Sequence, residues 1–442
     1  MNRPIGVVLC ACFLLITAKA AGESQVDVNG SLESNVYVGL VYGDLYDFRN
    51  TNILYLKFSA QLSESLATFG ELKVRNTNMP AVGQSSDLVS RAAVEPVDLY
   101  LGEAYVDLFG FLLDDLDVRV GKQRIAWGTA DGLNPTDNLN PFDFSNPLDF
   151  AERIPSTAIK LTYYMGDGEL SAICLPYFTP TLLPASIQLP FGAFSQPPGL
   201  QLGEVGDQVQ TPDFRVENVA AAAKLKYRLF DFDWSVSYYR GWDTLPMPAG
   251  VDLTPGDAGA FDAEITLTYS EIQVVGFDMA GQLLGIGVWA EVATFFSDKV
   301  MMTPTLAGQP LPGAESTVML DGDPWVKAVV GGDYTFKGGY YVNLQYMHGF
   351  IFERGMDNLQ DYVMAAFKKK FLNDELEVVL QGGLEIQDED HIGGMAGLEF
   401  NYSPVDSVKV TLGGLTLKGQ EGTTFEAMHN LDQVYFRFKA DF

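Results

Sequence analysis

The sequence predicts an all-β chain that closes on itself as a transmembrane antiparallel β-barrel of 18 strands, with 16 as the alternative count. Three observations predict it. Apolar and polar residues alternate at a period of two from about Val26 to the last residue. Tight turns and mostly longer connections take turns between the alternating stretches. Beyond the first residues, no apolar run approaches the roughly 20 residues a transmembrane helix requires. A strand places successive side chains on opposite faces, so each alternating stretch offers one face to hydrocarbon and the other to water.

Taken in order, the chain opens with Arg3, an apolar run from Ile5 to Ile16, and Ala18-Lys19-Ala20-Ala21, a small-x-small cleavage pattern. This reads as a signal peptide over 1–20, leaving 21–442 as one barrel domain. Cys10 and Cys12 leave with it, so Cys174 is the single cysteine of the mature chain, which excludes a disulfide within one subunit. Leu54, Leu56, Phe58, Ala60 and Leu62 then oppose Tyr55, Lys57 and Ser59. After Ser63-Glu64-Ser65, Leu66, Thr68, Gly70, Leu72 and Val74 oppose Phe69, Glu71, Lys73 and Arg75, which makes a hairpin. Further tight turns are expected near 111–115, 166–168, 230–233, 279–282, 337–339, 372–374 and 403–406, with longer connections near 76–96, 127–155, 179–215, 243–259 and 297–323. Short periplasmic turns and long extracellular loops are the asymmetry of outer-membrane barrels. Aromatics such as Phe109, Tyr163, Phe230, Trp234, Phe336 and Phe371 gather beside the short turns, as an interfacial belt requires. In the final stretch Val434, Phe436, Phe438, Ala440 and Phe442 alternate with Tyr435, Arg437, Lys439 and Asp441.

The formal charge of −29 argues against nucleic acid as a partner, and the acids fall mostly in the inter-strand connections. His348, His391 and His429 have no zinc or nucleophile-elbow spacing around them, and no Cys-x-x-Cys-His site is present. The sequence therefore argues against an enzyme and calls for no metal or cofactor.

On a barrel, the polar set lines the lumen. The pore-lining candidates are Lys57, Lys73, Arg75, Arg119, Lys160, Lys224, Lys226 and Arg228, with Lys327 and Lys409 also inward. The inward acids are Glu71, Glu103, Asp107, Glu291 and Glu399. Three cations in one row, Lys224, Lys226 and Arg228, would attract anions. Pairing with acids on neighbouring strands would cancel that field. One internal repeat is present: Asn134-Pro135-Thr136-Asp137, Asn140-Pro141-Phe142-Asp143 and Asn146-Pro147-Leu148-Asp149 form an Asn-Pro-x-Asp unit at a period of six. Asn-Pro favours extended or turn backbone and Asp caps turns, so the segment should be an ordered, compact loop. Asp131, Asn134, Asp137, Asn140, Asp143 and Asp149 are the candidate constriction residues of the loop from Trp127 to Pro155, whose other reading is a rigid external loop.

Val120-Gly121-Lys122-Gln123-Arg124-Ile125-Ala126-Trp127-Gly128, continuing through Asp131-Gly132-Leu133-Asn134-Pro135-Thr136-Asp137, resembles a motif of porin-like outer-membrane proteins of Gram-negative bacteria, loosely similar to alginate-export and phosphate-selective porins. The match covers about Val118 to Pro184. It implies a barrel of 18 or 16 strands that passes hydrophilic solutes; in general porins the corresponding third loop folds inward. The final strand also resembles the C-terminal recognition strand that outer-membrane proteins present, through a terminal aromatic such as Phe442, to the barrel-assembly machinery. The expected function is passive diffusion of small hydrophilic, anionic solutes across the outer membrane. Two alternatives stand beside it. One is a hydrophobic-ligand transporter using the apolar, proline-rich Thr179 to Gly203 as an internal hatch; the other is a barrel that sheathes or anchors a periplasmic partner. Outer-membrane lipid, the assembly machinery and a small solute are the expected partners, and the sequence leaves a homo-oligomer open.

Overall fold

The computed structural model describes residues 26–41, 44–145, 151–183, 202–256, 260–311, 315–388 and 390–442. The signal peptide, Asp149 with the third Asn-Pro unit, and most of the Thr179 to Gly203 segment lie outside the described residues.

Eighteen strands form the wall: β1 Val26–Val41, β2 Asp44–Ser63, β3 Leu66–Asn76, β4 Val97–Leu108, β5 Leu116–Gln123, β6 Ser156–Met165, β7 Gly168–Leu175, β8 Ala220–Leu229 and β9 Phe232–Trp242 make the first half. The second half is β10 Glu271–Leu283, β11 Ile286–Ser297, β12 Trp325–Thr335, β13 Tyr340–His348, β14 Asp361–Phe371, β15 Leu376–Ile386, β16 Ile392–Val405, β17 Val408–Gly419 and β18 Gln433–Asp441. Each strand pairs antiparallel with the next, and β18 pairs with β1 from Ser31↔Asp441 to Gly39↔Gln433, which closes the sheet and leaves no open edge. Alternation sets the faces as the sequence predicts. In β18, Val434 and Phe436 are 43 % and 44 % exposed on the outside, whereas Tyr435 between them is 3 % exposed inside. Trp234 lies against Phe232 and Phe277 near the tight-turn rim, where the aromatic belt was expected. Cys174 sits opposite Ile159 and is the free cysteine among the described residues.

The start of β1 and the end of β18 lie on the rim of tight turns, where Phe442 and Gly30 exchange backbone hydrogen bonds. Two turns are displaced from their expected positions. The turn expected at 279–282 is made by Leu284-Gly285, because β10 and β11 keep pairing as far as Leu283↔Ile286. Leu284 and Gly285 both have positive φ, 55° and 85°, as a two-residue turn between right-twisted strands demands. The turn expected at 403–406 closes at Asp406-Ser407, after a register shift between Tyr402 and Val405.

The opposite rim carries most of the long connections, and three of these build structure that alternation had not distinguished from loop. Leu202–Val209, Met247–Pro255, Phe261–Thr268, Val300–Leu306, Gln309–Pro310 and Thr317–Leu320 form a second, six-stranded sheet. Its own core is Val251, Leu253, Ala263, Ile265, Leu267 and Met302. The barrel interior is packed as well as walled. Aromatic rings run across the long-loop end from Phe142 and Phe144 through Phe352 and Phe350 to Tyr362 and Phe425, with successive centroids 5.0 to 6.1 Å apart.

Candidate functional site

Residues 124–145 and 151–155, the connection between β5 and β6, fold inward and cross the lumen. The departure begins at Gly121, whose φ of +136° and 2.3 Å approach of the Ala104 carbonyl to an ideal Cβ admit no side chain. Strict alternation would put Lys122 outside with Val118 and Val120. Instead, its Nζ donates to the Leu101 carbonyl at 2.6 Å and it lines an internal recess.

The two described Asn-Pro units fasten the loop at opposite ends. At the near wall, the Asn140 side chain accepts from the Ile125 N–H at 2.8 Å. It donates to the carbonyls of Gln123 and Ile154, each at 3.2 Å, and to the Ser156 hydroxyl at 3.1 Å. At the far wall, Asn134 and Thr136 donate to Glu291 of β11 at 2.8 and 3.0 Å. The Asp131 carboxylate accepts from Asn343 of β13 at 3.1 Å, and the Asp131 N–H donates to Gln345 at 3.2 Å. Asp137 pairs with Arg124, and Asp143 caps a turn by accepting from the Ser145 N–H at 3.0 Å. In the first unit Pro135 sits in a turn closed by the Asp137 N–H on the Asn134 carbonyl at 3.1 Å, and in both units the asparagine reaches sideways to a wall.

Arg153 lies over the Phe142 ring, 3.3 Å from its centroid, and donates to the Asn140 carbonyl at 3.0 Å. Burial pushes this guanidinium down to about 10, with Asp137 opposing the shift and Arg124 adding to it, so it stays cationic at neutral pH. Between the loop and β3 to β5 lies a recess of about 720 Å³, lined by charged groups that include Lys73, Arg75, Lys122, Arg124, Asp98 and Glu152. On the other flank a cavity of about 250 Å³ lies among Trp127, Lys160, Glu169, Lys224, Lys226 and Asp278.

All eight predicted pore-lining cations take the inward side of their strands. Six meet acids. Lys57 is 3.5 Å from Glu71, Lys73 3.0 Å from Glu152, and Arg75 2.9 Å from Asp98. Arg119 is 2.6 Å from Asp107, Lys224 3.0 Å from Asp278, and Lys226 3.9 Å from Asp233. Lys160 and Arg228 form no ion pair among the described residues. Sequence reasoning missed Lys122, Arg124 and Arg153, and also the acids Asp98, Glu152, Asp233 and Asp278. Asp98, Asp233 and Asp278 were findable, since each sits at an inward position of an alternating strand; Glu152 and Arg153 lie where no period applies.

No protein-family model matches the chain, and no curated protein matches it in sequence. Solved structures match in fold. OccAB3 of Acinetobacter baumannii superposes with a TM-score of 0.52 at 10 % identity, over 95 % of this chain and 99 % of that one. OccK8 (OprE) of Pseudomonas aeruginosa gives 0.51 at 9 %, and the outer membrane protein OpdK of the same organism 0.50 at 9 %, each over 95 % of this chain and 98 % of the other.

Proposed function

We propose that this chain is a channel of the Gram-negative outer membrane through which small hydrophilic solutes diffuse passively, anions ahead of cations, past a bore narrowed by residues 124–145 and 151–155. The inward loop carries the reading. An 18-stranded barrel is wide enough to hold an aqueous channel, and this one encloses a loop fastened to both walls with charged recesses beside it. The outward apolar faces, the aromatics at the tight-turn rim and the fold shared with OpdK, an outer membrane protein, support placement in that membrane. On this reading the tight turns face the periplasm and Phe442 is the residue handed to the assembly machinery.

The preference for anions is supported by Lys160 and Arg228, which form no ion pair among the described residues, and by Lys226, whose contact with Asp233 is long at 3.9 Å. Inward charge on a low-dielectric wall concentrates ions of opposite sign. Reconstitution into planar bilayers tests both parts: stepwise current supports the channel, and the sign of the zero-current potential in a salt gradient reads the preference. Silence at every protein concentration would end the first claim, and a cation-selective potential the second.

A further inference from the structure

Among the lumen-facing acids, Glu291 of β11 is held entirely by the inward loop. It is 2 % exposed, and no ion pair neutralises it among the described residues. A buried carboxylate without a counter-ion is tolerable only where several donors share its charge. The donors that surround it all come from the inward loop: the backbone N–H groups of Thr129 and Ala130 and the Asn134 side chain converge on one oxygen, and the Thr136 hydroxyl donates to the other.

Two successive N–H groups point at one oxygen because Gly128, at φ +89°, reverses the chain just before them. A Cβ at Gly128 would stand 2.6 Å from both the Asn134 Nδ2 and the Glu291 Oε1. The turn therefore needs glycine twice, for its conformation and for the closeness of the carboxylate. We infer that Glu291 is the latch that keeps the loop inside the barrel, a positioning residue that sets the bore through Gly128 to Thr136. Withdrawal of the loop would strip the carboxylate of its donors, and removal of the carboxylate would leave two buried N–H groups without an acceptor. Loop and wall are thus held in one arrangement. The inference rests on the channel reading only for its electrical readout.

The test uses the full chain carrying Cys174→Ser and Ala130→Cys, so that a membrane-impermeant maleimide reports release of the loop. Ala130 donates through its backbone, which the cysteine retains. Labelling is expected to be slow in this parent and at least about tenfold faster after Glu291→Ala or Gly128→Ala, the ratio for losing one charge-assisted hydrogen bond. Glu291→Gln, which keeps one acceptor oxygen, should fall between. In planar bilayers both faster-labelling variants should carry larger and noisier single-channel currents. Parental labelling and currents in a correctly folded Glu291→Ala barrel, folding being judged by heat-modifiable mobility in SDS, would overturn the latch. Should Glu291→Ala fail to fold, Gly128→Ala decides by the same labelling ratio with the carboxylate in place. If the parent carries no current, the channel reading falls, while the labelling ratio still upholds or overturns the latch.

Discussion

The two flanks of the lumen carry the same kind of inward cation and treat it differently. On the flank of β3, β4 and β5, Lys73, Arg75 and Arg119 each lie within 3.0 Å of a carboxylate, while Lys122 donates to the Leu101 carbonyl. On the flank of β6, β7 and β8, Lys224 alone is held that closely, Lys226 is 3.9 Å from an acid, and Lys160 and Arg228 have no ion-pair partner among the described residues. An ion pair is nearly neutral to a solute a few ångströms away, whereas an unpaired charge acts over roughly 8 Å at physiological ionic strength. On the proposed reading the paired flank contributes shape and stability, and the open flank supplies the field.

The strongest way to break this comparison is to reverse the open flank. Replacing Lys160, Lys226 and Arg228 together by Glu should flip the sign of the zero-current potential in a salt gradient; an unchanged sign would show that the field arises elsewhere. Stability should divide the flanks the other way. Arg119→Ala strands Asp107, whose side chain is 16 % exposed, and should destabilise the barrel by about 1–3 kcal/mol, while Arg228→Ala should stay within about 0.5 kcal/mol. Urea midpoints in detergent measure both, and equal losses would erase the distinction.

A paired carboxylate at the long-loop end sharpens the contrast through pH. Asp243 is buried, which by itself would raise its pKa, but the Arg354 charge, the hydrogen bonds from Arg354 and the Leu245 N–H outweigh burial and hold it below the usual carboxylate range. Its folded-state value lies under the unfolded value of about 3.9. The contribution is therefore complete above that pH and lost as pH falls through the depressed value. Melting curves at falling pH should show wild type losing stability in this window and Asp243→Asn, already deprived of the pair, losing less; parallel curves would contradict the assignment. The smallest effect is that of salt. Raising KCl from about 0.1 to about 1 M contracts the screening length from roughly 10 to 3 Å, so the proposed anion preference should fade without reversing. A preference independent of salt would mean direct binding in place of a diffuse field.

Much of the barrel is legible in the amino-acid order. The odd and even residues of Val434 to Asp441 separate outside from inside as their polarity says they must, and the three cations of β8 share the inward side as their spacing says. The exceptions have local causes. Lys122 is reversed by the irregular backbone at Gly121, and the β10 to β11 turn moved to Leu284-Gly285 because strand pairing ran on past the small residues that resembled a turn. The six-stranded sheet carries alternation of its own at Val251 and Leu253 and at Ala263, Ile265 and Leu267, but nothing in a period of two distinguishes a wall from a sheet beyond it.

Amino-acid order alone determined that these strands have two faces, because that depends only on neighbours two positions apart, and it determined that an Asn-Pro loop follows β5. What that loop touches, and which cations keep their charge, was decided by the fold. Thr129 and Glu291 are 162 residues apart in the chain, and only closure of the wall brings such groups within hydrogen-bonding reach, where burial makes each contact binding on both partners.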